Sequence, residues 1–425
     1  MIIDPMTCAD AVVDSAAGRR RCTDMAEDRR LRRQPAVAEP QNAIAELIRS
    51  RSALYGDSPY LAEARGPRQI SFRDLDGQVS ARIDVLEHQG VAGDATVGIA
   101  VADPLEFAVL FLAIMASGRW VAPLDPSTSP DTLDTAISRL EIAVMVTDGG
   151  PGSPRGPRSP GGPRSPGRPG GPCHPQFTSD LVWTNAGGDA GSHAPIPVER
   201  ALEEGTPSPA GMGGAILASS GTTGAPKVIP VYQGRLLHTA RAVAAHHRLS
   251  PRDVGFSPLP LFHINAEVVG LLATLVSGAN LVLDDRFHRT AFWALMEQHQ
   301  VTWINAVPAI VSHLADPDPG EDVPSRIRFI RSASAPLPAA TLSRFEDNTG
   351  IPVLETYGMT EAASQITANP LMGPRKPGSV GVPVGVELRI TVDEAATPQV
   401  TRSPGESPQL TRSLDETRSP DETTS

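Results

Sequence analysis

The stretch Ala218-Ser219-Ser220-Gly221-Thr222-Thr223-Gly224-Ala225-Pro226-Lys227 decides how this chain is read. It follows Ala215-Ile216-Leu217, a short apolar run that predicts a strand. From Ser219 to Lys227 it holds two glycines, four hydroxyls and one lysine. Glycines let a backbone turn tightly, and successive N–H groups in such a turn form an anion-binding nest. Hydroxyls add donors, and a lysine adds a compact charge suited to phosphate. The stretch therefore predicts a loop that holds the phosphates of a nucleotide. Taken alone, the same composition also describes a polar surface loop. The order G-x-x-x-x-G-K-[ST] is absent, so this is not a Walker A loop. Lys227 stands out further because the chain has only two lysines, Lys227 and Lys376.

Working outward, 425 residues correspond to two or three domains' worth of material. Apolar residues make up 40% but aromatics only 4%, which predicts a largely aliphatic core. A formal charge of −11 argues against a general nucleic-acid binder. Cys8, Cys22 and Cys173 show no disulfide or metal spacing, as expected in a reducing compartment. The most apolar run, Phe107 to Ala116, is too short to span a bilayer. The early arginines are not followed by an apolar signal segment. The expectation is a cytoplasmic protein with no membrane span.

The flanks of the loop predict an α/β fold. Phe72, Leu75, Val79, Ile83 and Leu86 mark one face of a helix between Ser71 and Gly90, with Ser71 and Asp74 as an acidic capping box. Strands are expected at Thr96 to Val101, Trp120 to Leu124 and Ile142 to Thr147, alternating with helices Leu105 to Ser117 and Ser129 to Leu140. The alternation resumes with strand 214–218, helix Gln233 to His247 and strand Val254 to Ser257. A helix ending at Val276 follows, then four more strands, the last at Val353 to Tyr357. Such alternation means parallel sheets with helices on their faces. Residues 1–41 read as a disordered Arg-rich leader, 149–179 as an inserted Pro/Gly/Arg-rich linker and 391–425 as a low-complexity tail. The ordered parts are then a first α/β subdomain, 42–148, and a second, 180–390, carrying the site.

Downstream of the loop lie Leu259-Pro260-Leu261-Phe262-His263, Ser332-Ala333-Ser334-Ala335-Pro336-Leu337 and Glu355-Thr356-Tyr357-Gly358-Met359-Thr360-Glu361. Upstream lie Ile70-Ser71-Phe72-Arg73-Asp74-Leu75 and Trp120-Val121-Ala122-Pro123-Leu124-Asp125-Pro126. In this order and spacing the set resembles the adenylate-forming, or AMP-binding, superfamily of acyl- and aryl-CoA synthetases, luciferases and adenylation domains. The resemblance covers about residues 42–148 and 180–390. It implies a ligase that joins a carboxylate to ATP, releases pyrophosphate, and passes the acyl group from its adenylate to a thiol, with CoA as acceptor or an acyl carrier protein in its place.

The resemblance also assigns roles. Ser219, Ser220, Gly221, Thr222, Thr223, Gly224 and Lys227 match the loop that grips the β- and γ-phosphates. Thr360 matches the residue at the α-phosphate and Glu361 the Mg2+ ligand, a hard oxygen donor beside phosphates. Tyr357, followed by Gly358, matches the aromatic that stacks on adenine, with Ser334, Ala335 and Pro336 around the same ring. His263 matches the residue beside the acyl carboxylate, and Asn265 and Ser334 suit a small polar acyl group. Without the resemblance, Glu361 would be an ordinary helix-start acid, and His263 and Tyr357 packing residues. Lys376, in Arg375-Lys376-Pro377-Gly378-Ser379-Val380-Gly381, matches a turn and is assigned no chemistry. Arg331 to Pro338, Asn369-Pro370-Leu371 and Lys376 to Val386 look like the oxalate–CoA ligase branch, which implies a small dicarboxylate.

The resemblance stops near Ile390. The Tyr-x-Thr-Gly-Asp stretch that binds ribose is absent, and no lysine follows Lys376 to match that of the family's small C-terminal lid domain. The expectation is a chain without that lid: a truncated acid–CoA ligase, impaired or completed by a C-terminal domain in trans. The alternative is a non-catalytic remnant that binds nucleotide or a partner protein.

Overall fold

A computed structural model describes residues 3–4, 43–148, 182–185, 213–219 and 227–389. The elements discussed below belong to one unit, Ile3–Glu387. The expected linker and tail lie outside the described residues, as does the expected leader apart from Ile3 and Asp4.

Helix α1 (Ala43–Tyr55) precedes a hairpin of β1 (Pro59–Glu63) and β2 (Gln69–Ser71). Then α2 (Phe72–His88), β3 (Thr96–Ala100), α3 (Pro104–Ala116), β4 (Trp120–Pro123), α4 (Pro130–Arg139) and β5 (Ile142–Thr147) alternate. Next come β6 (Val182–Asn185), β7 (Gly214–Ser219), β8 (Lys227–Tyr232), α5 (Gln233–His246) and β9 (Val254–Ser257). A π-helix (Ala266–Leu272) runs on into α6 (Ala273–Ser277). The rest is β10 (Asn280–Leu283), α7 (Phe292–Gln298), β11 (Trp303–Ala306), α8 (Pro308–Leu314), β12 (Phe329–Ser332), α9 (Ala339–Thr349) and β13 (Val353–Met359). A 3-10 turn (Thr360–Ala362), β14 (Ser364–Ala368) and β15 (Val382–Pro383) follow.

These strands form two sheets, in the orders β6-β5-β3-β4-β7-β8 and β15-β14-β13-β12-β11-β9-β10-β1-β2. Their centres are parallel, as the alternation predicts. The strands at the margins, β2, β6, β8, β14 and β15, pair antiparallel.

Local chemistry sets the helices. Ser71 and Asp74 form the expected capping box of α2, with Ser71 Oγ accepting from the Asp74 N–H at 3.0 Å. Its Phe72, Leu75, Val79 and Leu86 are buried. Asp103 caps α3 by accepting from Leu105 and Glu106, with Pro104 in the first turn. Every residue from Phe107 to Ala116 is buried, because α3 packs on strands of both sheets. A helix apolar all round is stable only in such a layer. Each large aliphatic there contributes about 1.5–3 kcal/mol by burial. Among the described residues no helix is long and apolar enough to cross a membrane.

Two elements differ from the sequence reading. The helix expected to end at Val276 begins as a π-helix. Side chains bond to carbonyls near its end: Tyr60 OH donates to Leu271 O at 2.7 Å, and Thr274 Oγ1 to Gly270 O at 2.7 Å. The second is β8, which spans the stretch between the phosphate loop and the helix expected from Gln233, where the sequence reading places no strand. Pro230 argues against a strand, but β8 lies at the sheet edge, where proline is tolerated.

Candidate active site

The loop that opened the sequence reading lies between two strands that pair antiparallel. Strands β7 and β8 pair from Gly214–Tyr232 to Ser219–Lys227. Ser220, Gly221, Thr222, Thr223 and Gly224 lie outside the described residues. Lys227 is exposed at the start of β8. Strand β8 touches the 3-10 turn Thr360–Ala362, so residues about 130 positions apart in sequence meet.

That turn is shaped by close backbone packing. A Cβ at Gly358 would collide with the carbonyl of Ser364, so the antiparallel return of β14 leaves room only for glycine. The ladder register shifts between Tyr357 and Gly358, and Tyr357 is 40% exposed. Among the described residues seven non-glycine residues have positive φ, and three of them adjoin this region: Ser334 (75°), Ala363 (55°) and Ser364 (90°). Such conformations cost about 1–3 kcal/mol each, and they gather where a ligand site over-determines the backbone.

Ser334, Ala335 and Pro336 are exposed just past the end of β12. Glu361 is exposed and Thr360 half-buried in the turn. The side chains of Ser334, Tyr357, Thr360 and Glu361 make no hydrogen bond or ion pair among the described residues. An uncommitted, exposed carboxylate is the donor a hard cation takes, so Glu361 fits a magnesium ligand.

On the other side, His263 lies ahead of the π-helix with its ring against Phe262, centroids 4.6 Å apart. Burial of the imidazole lowers its pKa, while the Asp125 carboxylate pulls the other way. Asp125 belongs to the loop after β4, so a charge from the first half of the chain acts on this ring. Asn265 is buried two residues on, and no hydrogen bond joins it to Ser334 among the described residues. Its Oδ1 instead accepts from Arg331 Nη1 at 2.7 Å.

Arg331 is a residue to which the sequence reading gave no role. It is 2% exposed in the middle of the second sheet. It also donates to Asn305 Oδ1 at 3.1 Å and to Gln365 Oε1 at 3.2 Å. Burial lowers its pKa to about 9. Glu267, in the π-helix, is fully buried with neither carboxyl oxygen hydrogen-bonded. The available signal was polar residues breaking the apolar runs of buried strands: Arg331 after Phe329-Ile330, and Asn305 after Trp303-Ile304. Lys376 lines a cavity of about 270 Å3 with Glu346, Glu355 and Arg375, which none of the expected site residues lines.

The AMP-binding enzyme family profile matches residues 48–407. The chain is 32% identical over 360 residues to a sulfoacetate–CoA ligase of Cupriavidus necator, covering 84% of this chain and 67% of that protein. It is 32% identical over 324 residues to an oxalate–CoA ligase of Arabidopsis thaliana, covering 75% of this chain and 60% of that one. Its fold is similar to that of ATP-bound MatB from Rhodopseudomonas palustris, with a TM-score of 0.62 and 23% identity over 80% of this chain and 64% of that chain. The chain thus spans about 60–67% of the length of these curated relatives. It belongs to the AMP-binding enzyme family.

Proposed function

We propose that this protein activates a small carboxylic acid with ATP and transfers the acyl group to CoA. A carboxylate oxygen attacks the α-phosphorus, the bond to the β-phosphate oxygen breaks, and pyrophosphate leaves with the charge. The acyl-adenylate then loses AMP to a thiol, which gives up its proton as the thioester forms. A carboxylate is a poor electrophile and AMP a good leaving group, so positioning and charge stabilisation carry the rate.

In this reading Ser219 to Gly224 and Lys227 hold the β- and γ-phosphates, and Thr360 contacts the α-phosphate. Glu361 binds Mg2+, which would neutralise phosphate charge. Tyr357 stacks on adenine, with Gly358 giving the turn its shape and Ser334, Ala335 and Pro336 at the ring's edge. His263, Asn265 and Ser334 face the acid, a small dicarboxylate such as oxalate. The observation that carries the reading is the contact of β8 with the Thr360–Ala362 turn, which joins the hairpin of the phosphate loop to the uncommitted side chains at the end of β13.

The test is pyrophosphate release from ATP across a panel of short acids. It is run on the chain alone and with a relative's C-terminal domain added in trans, offering CoA or a carrier-protein thiol as acceptor. Acid-dependent release, reduced about 100- to 1,000-fold by Glu361→Ala, supports the reading. ATP binding without acid-dependent release in either format would replace it with a nucleotide-binding role.

A further inference from the structure

The buried cluster around Arg331 has a composition that the adenylation chemistry does not account for. A guanidinium has only donors, so the amide oxygens of Asn265, Asn305 and Gln365 must face it. That turns their three NH2 groups away. All three amide nitrogens are buried and unpartnered. Arg331 Nη2 makes no hydrogen bond among the described residues either. The cluster is therefore one full positive charge with four nitrogens short of acceptors. Native interiors seldom leave such groups unsatisfied, because each costs about 1–3 kcal/mol.

Nothing described in the protein supplies the missing negative charge. No carboxylate among the described residues pairs with Arg331. Glu267, the buried acid two residues from Asn265, makes no hydrogen bond with Arg331, since neither of its carboxyl oxygens has a partner.

The position of the cluster is as informative as its charge. Asn265, one of the residues read as facing the acid, is itself a member of the cluster, so the two share a side chain. Asn305 and Arg331 are register partners on β11 and β12, which puts them on one face of the parallel sheet. The strand ends beyond them are where ligands enter open α/β sheets.

We propose that Arg331, with the carboxamides of Asn265, Asn305 and Gln365, forms the subsite for the second, non-reacting acid group of the substrate and so selects acids with two negative charges over those with one. This rests on the adenylating reading above and assigns its specificity to named residues. One carboxylate of the substrate meets ATP, and the other group's oxygens accept from Nη2 and from the amide nitrogens within reach of it. A carboxylate and a sulfonate share this chemistry, and both belong in the panel.

The test compares two- to four-carbon diacids with monoacids of equal length in the pyrophosphate-release assay. The wild type should prefer diacids. Arg331→Met should lower the diacid-over-monoacid ratio of kcat/KM about 10- to 150-fold, as expected for lost hydrogen bonds to a charged group. Asn305→Asp nearly preserves the side chain's shape and places a carboxylate beside Arg331, so it should lower the ratio in the same direction even if Arg331→Met fails to fold. A wild type active on diacids and monoacids alike, or variants that reduce both classes equally, would overturn the subsite while leaving adenylation intact. A wild type silent with every acid removes the adenylating reading and the subsite with it.

Discussion

Glu267→Gln should stabilise this protein, and by more as the pH rises. Glu267 is fully buried in the π-helix, and neither carboxyl oxygen is hydrogen-bonded. Burial pushes its carboxyl well above the usual carboxylate range. In the unfolded chain the group ionises near its ordinary pKa of 4.5. Above that pH, unfolding releases a proton that the fold retains. The group's contribution is therefore complete below about pH 4.5 and is lost as pH rises, at about 1.4 kcal/mol per pH unit until the folded carboxyl ionises. Glutamine has nearly the same shape and no proton to release, so the variant lacks this slope. Thermal melts of both proteins between about pH 5 and 8 should show a Tm difference widening by a few degrees per pH unit. A difference that stays constant across this range would refute the argument. So would a variant that becomes less stable than the wild type as pH rises, since that would mean an ionised and paired Glu267.

Three other substitutions test separate parts of the structure. His247 is fully buried, edge-on to Phe329 with centroids 5.1 Å apart, and burial together with the charges of Arg331, His246 and Arg328 holds its pKa well below 6.5. Its folded pKa lies below its unfolded one, so stability should fall as pH drops below about 6.5. His247→Phe should flatten that slope in denaturant midpoints, and an unchanged slope would rule this out. Gly358→Ala should cost about 1–3 kcal/mol and abolish acid-dependent pyrophosphate release, because the Ser364 carbonyl occupies the space of the new methyl. An unshifted Tm with full activity would contradict the crowding at that turn. Leu110→Ala, in the fully buried Phe107–Ala116 stretch of α3, should cost about 2–5 kcal/mol in chemical denaturation, and a loss under about 1 kcal/mol would mean the two sheets close around the gap.

The layered α/β fold was legible because its signals are local. The Ser71–Asp74 cap, the uninterrupted apolar run of α3 and the buried strand Thr96–Ala100 each follow from a few adjacent residues. Strand β8 was not legible, because Pro230 is a strand breaker until the sheet edge that tolerates it is known. The π-helix was hidden for a similar reason: Tyr60, one of the side chains that satisfies its carbonyls, comes from a strand more than two hundred residues earlier. At the site, Tyr357, Thr360 and Glu361 announced themselves as a compact motif, and the structure adds why Gly358 stands among them. Arg331 was quoted only as part of a stretch and given no role. Its chemistry depends on Asn265, Asn305 and Gln365, which reach it from three different elements.

Carboxylate activation is decided by acid-dependent release of pyrophosphate from ATP, measured for the wild type and Glu361→Ala across short diacids and monoacids. Release should require an acid, favour diacids and fall about 100- to 1,000-fold in the variant. Release independent of any acid, or none with any acid either alone or with an added C-terminal domain, would contradict it.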